Sequence, residues 1–295
     1  MSKKNRLDKK QQAKEQKQPK VRDVFVARPF AGLAAETELV ALRELVPAAT
    51  APLTLAPEYA EKYGDRQITL ATILPMAWPA LTKTDGRILL GLQRHERSGD
   101  VNRDLAVALL CALEGEPGAP VNVPPLPGEG PRLGDLLVDA PLDITVHEGF
   151  DFWLDADQER DAEVSASLDA ANASVYPTVR MAAAPAAYWC RVPEKAHVRW
   201  VLADSEDVAL NALARLSAAG ELKLTDETKF AGMFRAHGLL VPVWDLPSAP
   251  EAGAWEESLA AVAARYAAAK AVDEPLTADQ RRARQGLLGR QLTLR

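Results

Sequence analysis

Residues 68–90 read ITLATILPMAWPALTKTDGRILL, and the fold turns on how this stretch is read. Apolar and β-branched residues run from Ile68 to Trp78 and predict a strand. Asp85-Gly86 predicts a hairpin turn, because glycine takes positive φ at no steric cost. Arg87-Ile88-Leu89-Leu90 then reads as the returning strand. A second stretch has the same form. It runs from Val179 to Trp189, through Pro193-Glu194-Lys195-Ala196, into Val198-Arg199-Trp200-Val201-Leu202. Trp78 stands 11 residues before Leu89, as Trp189 does before Trp200.

Working outward, the neighbours of these stretches also pair. Leu42 to Val46 and Leu133 to Val138 read as short helical runs, followed by Pro52-Leu53-Thr54-Leu55 and by Pro141-Leu142-Asp143-Ile144. Each hairpin precedes an apolar-periodic helix. The first carries Val101, Leu105, Leu109, Leu110 and Leu113 and stops at Gly115. The second carries Val208, Leu210, Leu213 and Leu216 and stops at Gly220, glycine being the common residue just past a last helical turn. The motif V-x-V-x-x-L-P then occurs at 121–127 and again at 241–247. The expectation is an α+β protein of two similar lobes from an internal duplication, each a short antiparallel sheet with packed helices. Residues 24–127 would form the first lobe, 128–250 the second and 251–295 C-terminal helices. Within the last segment, Trp255 to Ala271 is helical in period, Pro275 interrupts it, and Thr277 with Gln280 forms a capping-box pair.

Composition sets the outer bounds. A chain of 295 residues with 47% hydrophobic and 26% charged side chains is that of an ordinary folded protein. Cys111 and Cys190 are too few for a disulfide framework and lie in no CxxC pair, so two reduced cysteines packed as small hydrophobes are expected. No apolar run reaches the ~18 residues of a membrane-spanning helix, and the basic N-terminus lacks the apolar core of a secretory signal. A cytoplasmic location without a membrane partner follows.

Charge is unevenly spread. Residues 1–23 hold nine basic side chains against three acidic ones, a net +6, within a chain of net −6. The body is therefore acidic, at −12, and the tail basic. The Lys- and Gln-rich tail cannot bury enough apolar surface to offset backbone entropy and is expected to be disordered. Its Lys3, Lys4, Arg6, Lys9, Lys10, Lys14, Lys17 and Lys20 are the candidate nucleic-acid-binding residues, since flexible basic arms neutralise phosphates and release counterions. RNA or the ribosome is the expected partner; an arm that only aids solubility, or that touches acidic protein, is the alternative.

Catalytic and cofactor motifs are sparse. No P-loop, HExxH or GxSxG occurs, and Gly128-x-Gly130 lacks the third glycine of a dinucleotide fingerprint. No cofactor is expected. His95, His147, His197 and His237 are far apart in sequence. The acidic region Asp155 to Ser174 fails as an EF-hand, because Arg160 and Ala166 stand where Gly and Glu are required. No metal site is assigned; residues 155–174 are read as a solvated insertion or a surface for a protein partner. Cys190 could serve as a nucleophile, but no histidine lies near it in sequence. Trp78 and Trp189 either line a groove between lobes or anchor the core of each.

Phe25-Val26-Ala27-Arg28-Pro29-Phe30-Ala31-Gly32-Leu33, continuing into Val40-Ala41-Leu42-Arg43-Glu44-Leu45-Val46-Pro47-Ala48-Ala49-Thr50-Ala51, resembles an uncharacterised family of actinobacterial proteins, across the whole folded body. The resemblance implies no catalytic residues. The functional expectation is a non-enzymatic binding or adaptor protein, RNA- or ribosome-associated through its tail. The alternative is an enzyme with its site in the cleft between lobes.

Overall fold

The most apolar short run before the first strand, LVALRELV at 39–46, forms a helix that is buried on nearly every side. Helix α1 spans Glu36–Glu44; Leu39, Val40, Ala41 and Leu42 are each at most 3% exposed. The helix lies between two sheets and its apolar side chains share one hydrophobic core with both, while its buried charges Glu36, Glu38 and Arg43 are held by partners from neighbouring elements. Burial of each such leucine contributes about 1.5–3 kcal/mol. The helix gives way to extended chain before Pro47, since the residue preceding proline disfavours the α region.

A computed structural model of the chain describes residues 21–95, 97–154 and 161–289. These hold eight helices and two five-stranded sheets, an α+β architecture. Sheet 1 comprises β1 (Ala49–Leu53), β2 (Ile68–Ile73), β3 (Ala80–Thr82), β4 (Ile88–Gln93) and β5 (Thr145–Val146), in the order β3-β4-β2-β1-β5. Sheet 2 comprises β6 (Thr178–Arg180), β7 (Ala187–Arg191), β8 (Ala196–Trp200), β9 (Lys229–Ala236) and β10 (Leu239–Leu246), in the order β6-β7-β8-β10-β9. The remaining helices are α2 (Pro57–Tyr63), α3 (Val101–Glu114), α4 (Leu133–Leu136), α5 (Ala162–Asn172), α6 (Glu206–Ala218), α7 (Glu256–Lys270) and α8 (Ala278–Leu288). Helix α3 packs on β3 and β4. The outer face of sheet 2 is covered by α6, α7 and α8. That of sheet 1 is covered by α5 and the aromatic turn at Phe150, Phe152 and Trp153.

The two sheets do not share a topology, so a duplication is not what the strand order displays. Sheet 2 is antiparallel throughout, whereas β2 and β4 run parallel in sheet 1. Residues 68–78 are not one strand. β2 stops at Ile73, Pro75–Ala77 makes a 3-10 turn, and the chain crosses to the far side of β4 as β3. Pro75 and Pro79 lack the N–H a continuing ladder needs. The Asp85-Gly86 hairpin therefore joins β3 to β4, and only Gly86 takes positive φ (88°), with its N–H bonded to Lys83 O at 2.9 Å. Trp78 is 41% exposed and Trp189 1%. Val121 to Val123 form no strand, whereas Val241 to Leu246 lie in β10.

The expected boundary at 127/128 falls inside the first layer. β5 pairs with β1, Leu55 bridges Leu137, and the chain reaches sheet 2 only at β6. The C-terminal helices are part of the second core, through Leu259, Val262, Tyr266 and Leu287. The other expected helices are present with their end signals. α3 runs to Glu114 with Gly115 as cap, α6 ends just before Gly220, and Thr277 and Gln280 form the capping box of α8.

Candidate functional site

The polar residues on the inner face of sheet 2 are set by strand register. In the β7–β8 hairpin Cys190 lies opposite His197, and His197 in turn lies opposite Asp245 of β10. Side chains directly opposite share a face, so the three form a row, with Arg199 two residues on in β8. Facing this row is the C-terminal end of α1: Arg43, Glu44, Leu45, then Val46 and Pro47. Between them lies a cleft of about 530 Å³, lined also by Gln93, Tyr176, Thr178, Val192, Phe234 and Val243.

Interlocking hydrogen bonds hold the two sides together. Glu38 is the hub: its Oε1 accepts from Arg180 Nη2 at 2.6 Å and from Ala186 N at 3.3 Å, and its Oε2 accepts from Tyr188 Oη at 2.7 Å. Burial, then the Glu38 charge, pushes the Tyr188 phenol far up, so it stays a donor. The β9–β10 hairpin turns at His237-Gly238, both with positive φ (46° and 81°), as a two-residue type I′ turn requires. That tip places His237 Nε2 2.8 Å from Glu44 Oε1. Arg28 at the N-terminal edge pairs with Glu36 and reaches Ala203 O. Toward sheet 1, Arg43 Nη1 donates to Leu92 O, and Gln93 Nε2 donates to Arg43 O at 2.8 Å.

Within the cleft the charges are not evenly matched. Arg199 Nη2 donates to Leu45 O at 2.9 Å, but its Nε is closed to solvent and without an acceptor. Arg43 Nε is likewise without a hydrogen bond; its nearest carboxylate oxygen, Glu44 Oε1 at 3.4 Å, is the one His237 occupies. Burial pulls both guanidiniums below their ordinary values. The Cys190 thiol is pushed up by burial and stays protonated. His197 Nδ1 lies 3.0 Å from Asp245 Oδ1, an ion-pair distance without hydrogen-bond alignment, and burial lowers its pKa despite that carboxylate. The cleft thus presents two cations, one carboxylate at Glu44 that His237 and Arg43 already engage, a neutral thiol and a neutral imidazole. A thiol shut away in its protonated form is poorly prepared as a nucleophile.

The sequence-predicted residues fall as follows. Lys3, Lys4, Arg6, Lys9, Lys10, Lys14, Lys17 and Lys20 lie outside the described residues, so the nucleic-acid expectation for the tail is untouched; Asp23, at the tail's end, caps Gly99 N at 2.7 Å. Residues 155–160 are also outside the described residues; beyond them α5 buries only Leu168 and carries Glu163 and Asp169 on its exposed surface. Both cysteines are free, and Cys190 is not without a histidine neighbour: six residues separate it from His197 in sequence, but strand pairing sets the two opposite each other. Trp189 anchors the outer core of sheet 2, and neither it nor Trp78 lines the cleft. His95 is exposed, and His147 bonds Thr50 Oγ1 at 2.8 Å beside Phe152. Arg43, Glu44 and Arg199 went unnoticed in the sequence, where each reads as an ordinary surface charge. The one available signal was Arg199 between the apolar Val198 and Trp200, in a strand whose alternate residues are fully buried.

A larger hollow, about 830 Å³, lies under Val21 to Val24. Its two inner arginines are engaged: Arg132 forks onto Asp100 at 2.7 and 3.0 Å, and Arg103 donates to the carbonyls of Pro127, Gly128 and Pro131. No described helix is long and apolar enough to cross a membrane.

Fold and cleft together define an α+β protein of two sheets clasped around a central helix, with an arginine-bearing hollow at that helix's C-terminal end. The chain belongs to DUF5926, a family of unknown function, whose model matches residues 29–295. Comparison with curated proteins and with solved structures finds no match.

Proposed function

We propose that this chain is a non-enzymatic cytoplasmic binding protein whose ligand is a small molecule held in the cleft between the two sheets. The observation that carries this reading is the cleft itself: side chains from α1, β4, β7, β8 and β10 converge on one hollow of ligand-binding size. Catalysis at the same place is the weaker reading, because Cys190 is protonated and lacks an aligned base. The test is a thermal-shift screen of small metabolites on the full chain, repeated on Val192→Trp, which fills the cleft from its rim. Ligands that stabilise the natural chain are expected to lose their effect in the variant; stabilisation that survives in it would refute the reading.

The basic arm supports a separate contact with RNA or the ribosome. Its net +6 on an acidic body is the arrangement that recruits a polyanion at a distance from the fold. Removal of residues 1–22 is expected to abolish RNA retention, and the affinity of the intact chain is expected to fall steeply with salt. The exposed acidic face of α5 is the corresponding surface for a protein partner.

A further inference from the structure

Arg199 lies on the inner face of β8, where it and His197 are half-buried between the fully buried Ala196, Val198 and Trp200 of the other face, and its guanidinium is turned into the cleft. Among the described residues no carboxylate pairs with it. The carbonyl of Leu45 and the negative end of the α1 dipole account for one of its N–H groups, which is the role of a helix cap. They leave Nε shut from water with no acceptor. Buried donors are ordinarily satisfied and buried cations ordinarily paired, so a site that breaks both rules beside a hollow has an absent partner. Arg43 Nε, also lining the cleft, has no hydrogen bond either, its contact with Glu44 Oε1 being an ion pair at 3.4 Å. The rest of the lining is apolar on one side, with Val46, Val192, Phe234 and Val243.

On the reading of the cleft as a ligand site, we infer that its ligand is a small organic anion, a carboxylate or phosphate monoester on an apolar body, with the anionic oxygens at Arg199 and Arg43. A guanidinium presents its donors as a planar fork that matches either oxyanion. The apolar body lies against Val243 and Phe234, and Tyr176 and Thr178 stand at the rim. Glu44 does not repel the anion strongly, because its carboxylate already faces His237 and Arg43.

The experiment measures binding of benzoate, phenyl phosphate, inorganic phosphate and the neutral isostere benzamide to the full chain by calorimetry. Benzoate or phenyl phosphate is expected to bind saturably and at least about 10-fold more tightly than benzamide; which of the two wins separates carboxylate from phosphate. Arg199→Gln is expected to lower that affinity at least about 10-fold while its own melting temperature holds or rises, since it removes a buried cation without a partner. A purely structural arginine gives the reverse, a lower melting temperature and unchanged binding, and overturns the inference. Benzamide binding as tightly as benzoate, with both lost in Val192→Trp, overturns the anion but keeps the cleft. Binding of benzoate that persists in Val192→Trp overturns the cleft reading itself. No saturable binding by any of the three anions overturns the anion inference, whatever neutral ligands the cleft accepts.

Discussion

Sheet 1 and sheet 2 have equal strand numbers and unequal protection. The outer face of sheet 2 lies under three helices and a continuous core that includes Trp189, Trp244, Leu213 and Leu259. The outer face of sheet 1 has two small clusters, one on Ala48, Phe150 and Leu168 and one on Ala71, Leu74 and Leu89. Its cover is largely an aromatic turn, where Trp153 stacks on Phe150 at 4.4 Å and donates to Ile73 O at 2.9 Å. Similar hydrophobic strings gain stability only from what is laid across them. The two tryptophans make the point. Trp189 is locked inside sheet 2, while Trp78 stands on the surface after Met76 and Ala77, both in the left-handed region (φ 55° and 51°). Gly91 permits that approach: a Cβ there would sit 2.5 Å from Trp78 O.

Breaking this comparison begins with Trp189→Ala, which should cost about 3–5 kcal/mol by leaving a cavity in a close-packed core, read as a lower urea midpoint. A cost under about 1 kcal/mol would mean that sheet 2 is not the stable half. Next comes the joint between the halves. Glu38→Gln weakens the bonds to Arg180 and Tyr188 together and should cost about 2 kcal/mol, with new hydrogen exchange in β6 and β7; unchanged exchange would deny Glu38 its role as hub. A smaller effect, about 1 kcal/mol, is expected at Glu44. Its bond to His237, with the charges of Arg43 and Arg97, holds the carboxyl below the ordinary range despite burial. A depressed carboxylate contributes stability that is whole above the unfolded value of about 4.3 and is lost as pH falls through the folded one. The acid limb of a stability–pH curve should therefore be shallower in Glu44→Gln; identical limbs would exclude a contribution from this pair. Smallest of all, Trp78→Ala should change stability by less than about 0.5 kcal/mol, and a loss comparable to that of Trp189 would erase the contrast.

Local signals carried much of the fold into the sequence. The stops at Gly115 and Gly220, the Thr277–Gln280 box and the Gly86 turn all act within a few residues, and each appears where its chemistry puts it. What misled was the assumption that matching strings have matching partners. Trp78 and Trp189 share a spacing, yet Pro75 and Pro79 divert one chain into a crossover to the far side of β4, while the turn at Met181–Ala186 folds the other back as the adjacent antiparallel strand.

The sequence alone determined an α+β protein with its helix ends, its charge asymmetry and its family, because capping, turn geometry and composition are properties of neighbouring residues. The tertiary structure decided the parallel β2–β4 pair, the burial of α1 between sheets and the placing of Arg43 and Arg199 on one cleft. Those depend on which distant apolar faces exclude water from each other, and that is settled only when the whole chain has packed.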